Sequence, residues 1–215
     1  MSTDAEKQAA AEAAALLVES GMRVGLGTGS TVAFLLPALA RRNLTGLRCV
    51  ATSIETAQVA SELGLPVEGF DTLDELDIAI DGADQVAPDG WIIKGGGGAH
   101  TREKLVAVTA DRFVVIVSAN KVVDRLSGPV PLELHTFGLA STLRRLPTAE
   151  VRAGWPPSPD HGVIADWHGD IPDDPAQLAD ELSGTVGVVD HGLFPPSLTT
   201  DVLIARADGV EHRRL

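Results

Sequence analysis

The chain has 215 residues, 44% of them hydrophobic, with 17 basic and 30 acidic residues and a formal net charge of −13. This length suits one domain, or one domain with a smaller companion, and the apolar fraction is sufficient for a sizeable core. The acidic charge argues against nucleic acid or an anionic membrane surface as a partner, because both attract basic proteins.

The first predicted element is an alanine-rich, charged helix over residues 3–19, which differs from a secretory signal peptide. No apolar run in the chain reaches the length of a membrane span. Cys49 is the single cysteine and cannot form an internal disulfide. We therefore expect a cytoplasmic protein without membrane contact.

A short apolar strand over residues 22–26 leads into a glycine-rich turn, and a helical pattern follows over residues 32–42. The turn is Gly27-Thr28-Gly29-Ser30-Thr31. A Rossmann fingerprint needs a third glycine where Ser30 stands, and the lysine of a P-loop is absent, so nucleotide binding is disfavoured. Hydroxyl side chains beside bare amides suit a monophosphate or sugar hydroxyls. An ordinary strand-to-helix turn with a Ser/Thr cap explains the same residues.

A pair of carboxylates follows the third predicted strand. A strand over residues 48–51 and a helix over 54–63 come first, and then a buried strand over 76–80 ends at Asp81-Gly82-Ala83-Asp84. Two carboxylates that face one cavity shift each other's pKa values apart, as acid–base catalysis requires. The same spacing fits a site for a hard metal ion, or a plain Asp-rich turn.

The most unusual segment is a run of four glycines between a short strand and a helix. Apolar residues 91–93 precede Lys94, Gly95-Gly96-Gly97-Gly98 follow it, and a helix is predicted over residues 99–110 with Leu105, Val106 and Thr109 on one side. Amides at such a turn can bind an anion. Lys94 before the turn and Glu103 after it suggest proton transfer on a phosphorylated or oxygen-rich substrate. A glycine-rich surface loop beside a helix-stabilising glutamate is the alternative.

The alternation of strands and helices predicts an α/β fold. A further apolar strand over residues 113–117 ends near Lys121. Nearly continuous apolar strands indicate a parallel-sheet sandwich with helices on both faces, which is Rossmann-like but not dinucleotide-binding. Ligands bind beyond the carboxyl ends of such strands. Because four strands end at residues 27–31, 81–84, 94–98 and 121, we expect these segments to meet at one edge of the sheet.

From about residue 129 the pattern changes to β-α-β-β-α-β. Strands are predicted over residues 131–134, 149–153, 162–167 and 185–189, and helices over 135–146 and 175–182. This order indicates a small inserted α+β unit of the ferredoxin-like type. Strands over 202–205 and 210–213 return to the first unit. The expected domains are a large α/β catalytic domain, residues 1–128 and 200–215, and a small α+β domain, residues 129–199.

Together these motifs resemble the A type of ribose-5-phosphate isomerase over nearly the whole chain. The resemblance rests on the following segments: Gly27 to Thr31, Asp81-Gly82-Ala83-Asp84, Lys94-Gly95-Gly96-Gly97, Thr101-Arg102-Glu103-Lys104, Lys121, Pro131-Leu132-Glu133, and Gly187 to Phe194. It implies interconversion of ribose 5-phosphate and ribulose 5-phosphate through an enediol(ate), in the pentose phosphate pathway of carbohydrate metabolism. It also implies no metal or other cofactor, a sugar phosphate as ligand, and a homodimer, with a tetramer as the alternative.

The resemblance also implies roles for individual residues. Glu103 would be the base that moves a proton between C2 and C1, and Lys94 would stabilise the negative oxygen of the enediolate. Asp81 would assist ring opening and proton exchange between the two oxygens, and Asp84 would hold hydroxyls. The implied substrate-binding residues are Thr28, Gly29, Ser30, Thr31, Asp81, Gly82, Ala83, Asp84, Lys94, Gly95, Gly96, Gly97 and Lys121.

Two departures from the family pattern lie beside this site: Gly98 stands where alanine is usual, and His100 replaces an apolar residue. His100 is either a second base or a surface or packing substitution.

Two other functions compete with the isomerase. A sugar-phosphate deaminase or lactonase would carry a catalytic histidine in the matched motifs, and a non-catalytic sugar-phosphate sensor of a transcription regulator would carry a helix-turn-helix segment and a basic patch. We expect the isomerase.

Overall fold

The computed structural model describes residues 4–215; residue 3, where the first helix is predicted to begin, lies outside them. The helices are α1 Asp4–Ala15, α2 Val32–Arg41, α3 Ile54–Glu62, α4 His100–Thr109, α5 Leu139–Arg145 and α6 Pro175–Gly184. The strands are β1 Arg23–Leu26, β2 Arg48–Ala51, β3 Ile78–Asp81, β4 Gln85–Val86, β5 Ile92–Ile93, β6 Phe113–Ser118, β7 Val130–Leu134, β8 Ala149–Val151, β9 Val163–Trp167, β10 Val188–His191, β11 Leu193–Phe194, β12 Asp201–Arg206 and β13 Gly209–Arg214. Within the described part of the chain, no helix is long and apolar enough to cross a membrane.

The largest sheet has six strands in the order β13-β12-β6-β3-β1-β2. Five of them run parallel, and β13 pairs antiparallel with β12 at one edge. Alternate residues of the central strands belong to two separate cores. Val114 and Ile116 pack with α1 and α2 on one face, whereas Val115 and Val117 pack with α4 on the other. The predicted α/β fold with helices on both faces is therefore confirmed.

The predicted strand before the glycine run does not belong to this sheet. β5 instead pairs antiparallel with β4 and β11 in a separate three-stranded sheet. Only five residues separate β4 from β5, and a parallel pairing would need a crossover of a dozen or more. The chain therefore turns back as a hairpin, and Asp84 N donates to Ile93 O at 2.8 Å. The chain leaves the main sheet at the end of β3, and the hairpin brings Lys94 back to that point.

The third sheet has four antiparallel strands in the order β10-β7-β9-β8, with α5 and α6 as its two connections. Numbered within the unit, this order is 4-1-3-2, and the chain order is β-α-β-β-α-β, as the ferredoxin-like prediction requires. The core of this sheet also includes Trp91, which precedes β5, and Ile93 of β5. The division into residues 1–128 with 200–215 and residues 129–199 stays a proposal.

The helices that differ most from their predicted bounds are α1 and α5. α1 ends at Ala15 rather than at residue 19, and the Arg42 guanidinium donates to the carbonyl oxygens of Ala15 and Val18 beyond that end. α5 begins at Leu139 rather than at residue 135, because Gly138 takes the left-handed conformation with φ of 75°. On α4, Val106 is buried, whereas Leu105 is 52% exposed.

Candidate active site

A cleft at the carboxyl edge of the main sheet contains the predicted site residues except Asp81. Its lining consists of Thr28, Gly29, Ser30, Thr31, Gly82, Ala83, Asp84, Lys94, Gly95, Gly96, Gly97, Glu103 and Lys121. The turns after β1, β3 and β6 meet here, as expected, and α4 supplies Glu103. A larger cavity of about 840 Å³ lies beside α4, but its lining contains neither Lys94 nor Glu103. We therefore assign the chemistry to the smaller cleft.

Asp81 ends β3 and lies behind the cleft, held by backbone amides. Its Oδ1 accepts hydrogen bonds from Thr28 N at 3.0 Å and from Gly82 N at 2.7 Å. Gly27 makes this position possible, because a Cβ at that residue would lie 2.0 Å from Asp81 Cγ. Gly27, in the turn after β1, therefore leaves the space that the Asp81 carboxylate occupies.

Lys94 lies between two carboxylates, those of Asp81 and Glu103. Its Nζ lies 2.9 Å from Asp81 Oδ2 and 3.1 Å from Glu103 Oε2, and it donates a hydrogen bond to Gly82 O at 2.5 Å. All three charged side chains are buried, with 2%, 2% and 4% of Asp81, Lys94 and Glu103 exposed. The contacts with the two carboxylates are ion pairs, and the directed hydrogen bond goes to the carbonyl. As a result, Asp81 Oδ2 and Glu103 Oε2 have no hydrogen-bond partner.

Burial shifts the pKa values of this group in a direction suited to proton transfer. Desolvation raises the pKa of Asp81, and Lys94 opposes this only in part. Desolvation likewise raises the pKa of Glu103, with Lys94 again lowering it and Asp81 adding repulsion. Burial lowers the pKa of Lys94, but the two carboxylates outweigh it and the net pKa is raised. Lys94 is therefore charged at neutral pH, whereas Glu103 is an unusually basic carboxylate.

The glycine run packs against Asp84 on the side of the cleft. Gly96 N donates to Asp84 Oδ2 at 2.7 Å, and a Cβ at Gly96 would lie 2.8 Å from Asp84 Oδ1. Gly95 has φ of 102°, a conformation that other residues rarely adopt. Lys121 Nζ lies 3.9 Å from Asp84 Oδ1 and is 37% exposed, so that it can turn towards a bound anion. The glycines are therefore required both for the fold of the loop and for its close approach to Asp84.

Thr52 does not line the cleft, but it contacts a residue that does, and the sequence analysis did not identify it. Its hydroxyl lies 2.7 Å from the hydroxyl of Thr28, and the residue is buried. Thr52 directly follows β2, which pairs with β1, so it reaches the same edge as the other turns. Its position after a strand end was the signal that could have identified it.

His100 lies inside the protein and is not a second base. The residue is fully buried and does not line the cleft, so a surface substitution is excluded. Burial, together with the nearby charge of Lys104, lowers its pKa to about 3, which leaves the imidazole neutral. His100 is a packing residue of α4.

The cleft can hold an anionic, oxygen-rich molecule and move a proton within it. It combines amides of the glycine turns, two lysines and the basic carboxylate of Glu103, and the carboxylate of Asp81 lies directly behind it. Residues 4–215 contain no group of three or more His, Cys, Asp or Glu side chains arranged to hold a metal ion. The expectation that the reaction needs no metal or other cofactor stays a prediction.

Comparison with known proteins gives one consistent result. A family model described as ribose 5-phosphate isomerase A (phosphoriboisomerase A) matches residues 48–209. A ribose-5-phosphate isomerase A from Caulobacter vibrioides (strain NA1000 / CB15N) is 42% identical, with 98% of each chain covered. The structure of ribose 5-phosphate isomerase A from Methanocaldococcus jannaschii matches with a TM-score of 0.92 at 33% identity, over 98% of this chain and 99% of that one. A structure of D-ribose-5-phosphate isomerase in complex with phospho-erythronic acid matches with a TM-score of 0.93 at 31% identity, over the full length of both chains.

Proposed function

This chain belongs to the ribose 5-phosphate isomerase A family and interconverts D-ribose 5-phosphate and D-ribulose 5-phosphate, and we propose that Glu103, Lys94, Asp81 and Asp84 carry the reaction. The observation that supports this assignment is the position of Lys94 between two buried carboxylates at the cleft. We further propose that the reaction serves the non-oxidative pentose phosphate pathway. A deaminase, a lactonase or a non-catalytic sensor is not supported by the comparisons.

The first chemical step is removal of the C2 proton from the open-chain aldose by Glu103. The electron pair of the C2–H bond forms a C1–C2 double bond, and the negative charge passes to O1. A buried carboxylate of raised pKa suits this role, because a base works best when its pKa is close to the operating pH. The ammonium of Lys94 stabilises the negative oxygen, and it needs no reorganisation because Asp81 and Gly82 O already hold it.

The second step moves the charge from O1 to O2 and returns the proton to C1. The O2 proton passes to O1, Glu103 delivers its proton to C1, and C2 becomes the ketone carbon. We assign the exchange between the oxygens, and the opening of the sugar ring, to Asp81, whose pKa is raised by burial and whose Oδ2 lies beside the Lys94 ammonium. Asp84 holds hydroxyls of the substrate, while the glycine turns and Lys121 bind its anionic and polar oxygens.

The assignment is tested by measuring ribulose 5-phosphate formation with and without EDTA, in wild type and in Glu103→Gln. Loss of a general base costs about 10²–10⁴-fold. We expect full wild-type activity in EDTA and a loss of that size in Glu103→Gln, whereas Glu150→Gln at an exposed position remains active. Folded wild type that binds the sugar phosphate without turnover would overturn the enzyme assignment. Activity abolished by EDTA would instead make Asp81 and Asp84 a metal site.

Phospho-erythronic acid provides a second test of the cleft. Its carboxylate carries two oxygens and a negative charge, as the enediolate does, and a mimic of that state binds more tightly than the substrate. We propose that it inhibits this enzyme competitively with ribose 5-phosphate, with an inhibition constant below the KM. Lys94→Met should weaken this inhibition, because it removes the cation that pairs with the negative carboxylate of the inhibitor. Equal inhibition of wild type and Lys94→Met would contradict the role of Lys94.

We propose that the protein is a homodimer, with a tetramer as the alternative. The large cavity beside α4 has exposed apolar side chains at its rim, including Ile54, Leu105 and Val189. Exposed apolar patches of this kind mark interaction surfaces. Light scattering should give twice the chain mass of 22.4 kDa, or four times for a tetramer. Leu105→Asp should lower it to the monomer mass, whereas Leu16→Asp, at another exposed position, should not.

We also propose a cytoplasmic location, because phosphorylated sugars are charged and do not cross membranes unaided. Cell fractionation followed by the isomerase assay tests this proposal. Activity confined to the membrane or to the exterior of the cell would contradict it.

A further inference from the structure

A side chain beyond the main sheet, Arg152, contacts the glycine run of the cleft. Arg152 directly follows β8, and its Nη1 donates hydrogen bonds to Gly95 O at 3.2 Å and to Gly96 O at 3.0 Å. Its Nε and Nη2 donate to the two oxygens of Asp166 in β9, each at 2.7 Å. The two side chains are 14% and 18% exposed. The Asp166 carboxylate thus holds one edge of the planar guanidinium, and the remaining nitrogen, Nη1, contacts the glycine run.

Trp155 covers this arrangement and explains an unusual residue of the loop. The Arg152 guanidinium carbon lies 5.1 Å from the centre of the Trp155 ring, within the range of a cation–π contact. A Cβ at Gly98 would lie 2.9 Å from Trp155 Nε1. Gly98 also has φ of 74°, which disfavours any side chain. Glycine in place of the alanine usual in the family therefore leaves room for the tryptophan that packs on Arg152.

Peptide geometry connects the two carbonyl contacts to the cleft. In a trans peptide the carbonyl oxygen and the following N–H point in opposite directions. Holding the oxygens of Gly95 and Gly96 therefore fixes the N–H directions of Gly96 and Gly97. The first of these bonds Asp84 at 2.7 Å. The second belongs to a residue that lines the cleft, and it points away from Arg152.

We propose that Arg152 is a positioning residue of the isomerase, which fixes the Gly97 amide so that it donates to an oxygen of the bound sugar phosphate. The proposal rests on the function assigned to the cleft. A cationic donor on the two carbonyl groups also polarises the peptides and strengthens their N–H groups as donors. Arg152 touches neither Lys94 nor Glu103, and it acts on the substrate only through the loop.

The competing interpretation is that Arg152 only joins two parts of the fold. The two roles predict different kinetics. A structural residue, when lost, lowers the fraction of folded enzyme and hence the apparent kcat, but it leaves the KM of the folded molecules unchanged. A residue that positions a binding amide affects ground state and transition state alike, so its loss raises KM and leaves kcat unchanged.

The experiment measures kcat, KM for ribose 5-phosphate and thermal unfolding in wild type, Arg152→Met, Asp166→Asn and the control Arg145→Met. Arg145 lies in α5 and donates to Ser141 O within its own helix. We expect Arg152→Met to raise KM about tenfold or more, as for a lost hydrogen bond to a charged oxygen, with kcat within twofold and its pH profile unchanged. Asp166→Asn touches no loop atom and should raise KM in the same direction by less. Arg145→Met should match wild type.

A folded Arg152→Met enzyme with KM within twofold of wild type would overturn the proposal, as would a fall in kcat alone. If Arg152→Met does not fold, Asp166→Asn is judged by the same criterion. Failure of the proposal is distinguishable from failure of the assigned function. In the first case wild type turns over and Glu103→Gln does not, whereas in the second wild type itself fails to isomerise ribose 5-phosphate.

Discussion

Replacing Gly27 by alanine tests the packing that holds Asp81 in place. The new Cβ would lie 2.0 Å from Asp81 Cγ, whereas carbon atoms in contact are normally about 3.5–4.0 Å apart. The Asp81 side chain must therefore move by about 1.5–2 Å. The backbone of residue 27 is held in place, because Gly27 N donates to Ile80 O at 2.9 Å within the main sheet.

The displacement removes Asp81 from all of its partners. It breaks the hydrogen bonds from Thr28 N and Gly82 N and the ion pair with Lys94 at 2.9 Å. A misplacement of about 1 Å in a catalytic group costs on the order of 10²-fold in rate. An added methyl group in a packed interior costs about 1–3 kcal/mol. We expect kcat/KM to fall by about 100-fold or more and the free energy of unfolding to fall by about 1–3 kcal/mol.

The assay compares initial rates of ribulose 5-phosphate formation with urea unfolding curves for Gly27→Ala, wild type and Gly69→Ala. The control is matched, because Gly69 also has a negative φ and a Cβ there would meet no atom within 4 Å. Gly69→Ala should keep both stability and activity. If Gly27→Ala kept kcat/KM within threefold of wild type, Asp81 would not need its observed position, and the role assigned to it would be wrong.

Three further changes give defined outcomes. Because burial raises the pKa of Glu103 and the base must be ionised, kcat/KM should still rise with pH above 7, beyond the substrate phosphate titration near pH 6; a flat profile there would contradict this. Lys94→Met should lower kcat by about 10²–10³-fold while the protein remains folded by circular dichroism, since the cation for the enediolate is lost. Asp201→Asn should lower the free energy of unfolding in urea by about 1–3 kcal/mol at pH 7, because Asp201 accepts two hydrogen bonds from Arg112. The pKa of Asp201 is lowered by that pair, so its contribution is present above the ordinary value of 3.8 and should disappear as the pH falls below it.

The main sheet and its ligand-binding edge could be predicted because their signals are local. Each parallel strand is a short, nearly continuous apolar run, and β1 and β3 lead directly into the Gly27 and Asp81 turns. The convergence of the Gly27 to Thr31 turn, the Asp81 to Asp84 turn and Lys121 then follows from the common direction of parallel strands. Lys94 reaches the edge by a different route, through the β4–β5 hairpin. The predicted position was correct although the predicted sheet was wrong.

Other features could not be predicted because they depend on contacts between distant segments. The inward face of α4 carries the polar residues His100 and Glu103 beside Val106 and Ala107, and the apolar pattern of the helix does not indicate that these two polar side chains are buried. The contact of Arg152 with the loop joins residues 57 and 56 positions apart and belongs to no motif. Thr52 is an intermediate case. Its position at the end of a predicted strand indicates the sheet edge, but the residues around it form no recognisable motif.

The burial of Asp81, Lys94 and Glu103 opposes stability, and under the proposed mechanism it supports catalysis for the same physical reason. Removing two carboxylates and an ammonium from water costs several kcal/mol per ion, and one cation cannot fully compensate two anions. The uncompensated part appears as the raised pKa of Glu103, which gives the base its strength at neutral pH. If this reasoning is correct, Glu103→Gln should lower turnover by about 10²–10⁴-fold and yet unfold at the same or higher urea concentration than wild type. A matched loss of stability and activity would instead mean that the Lys94–Glu103 pair chiefly holds the fold together.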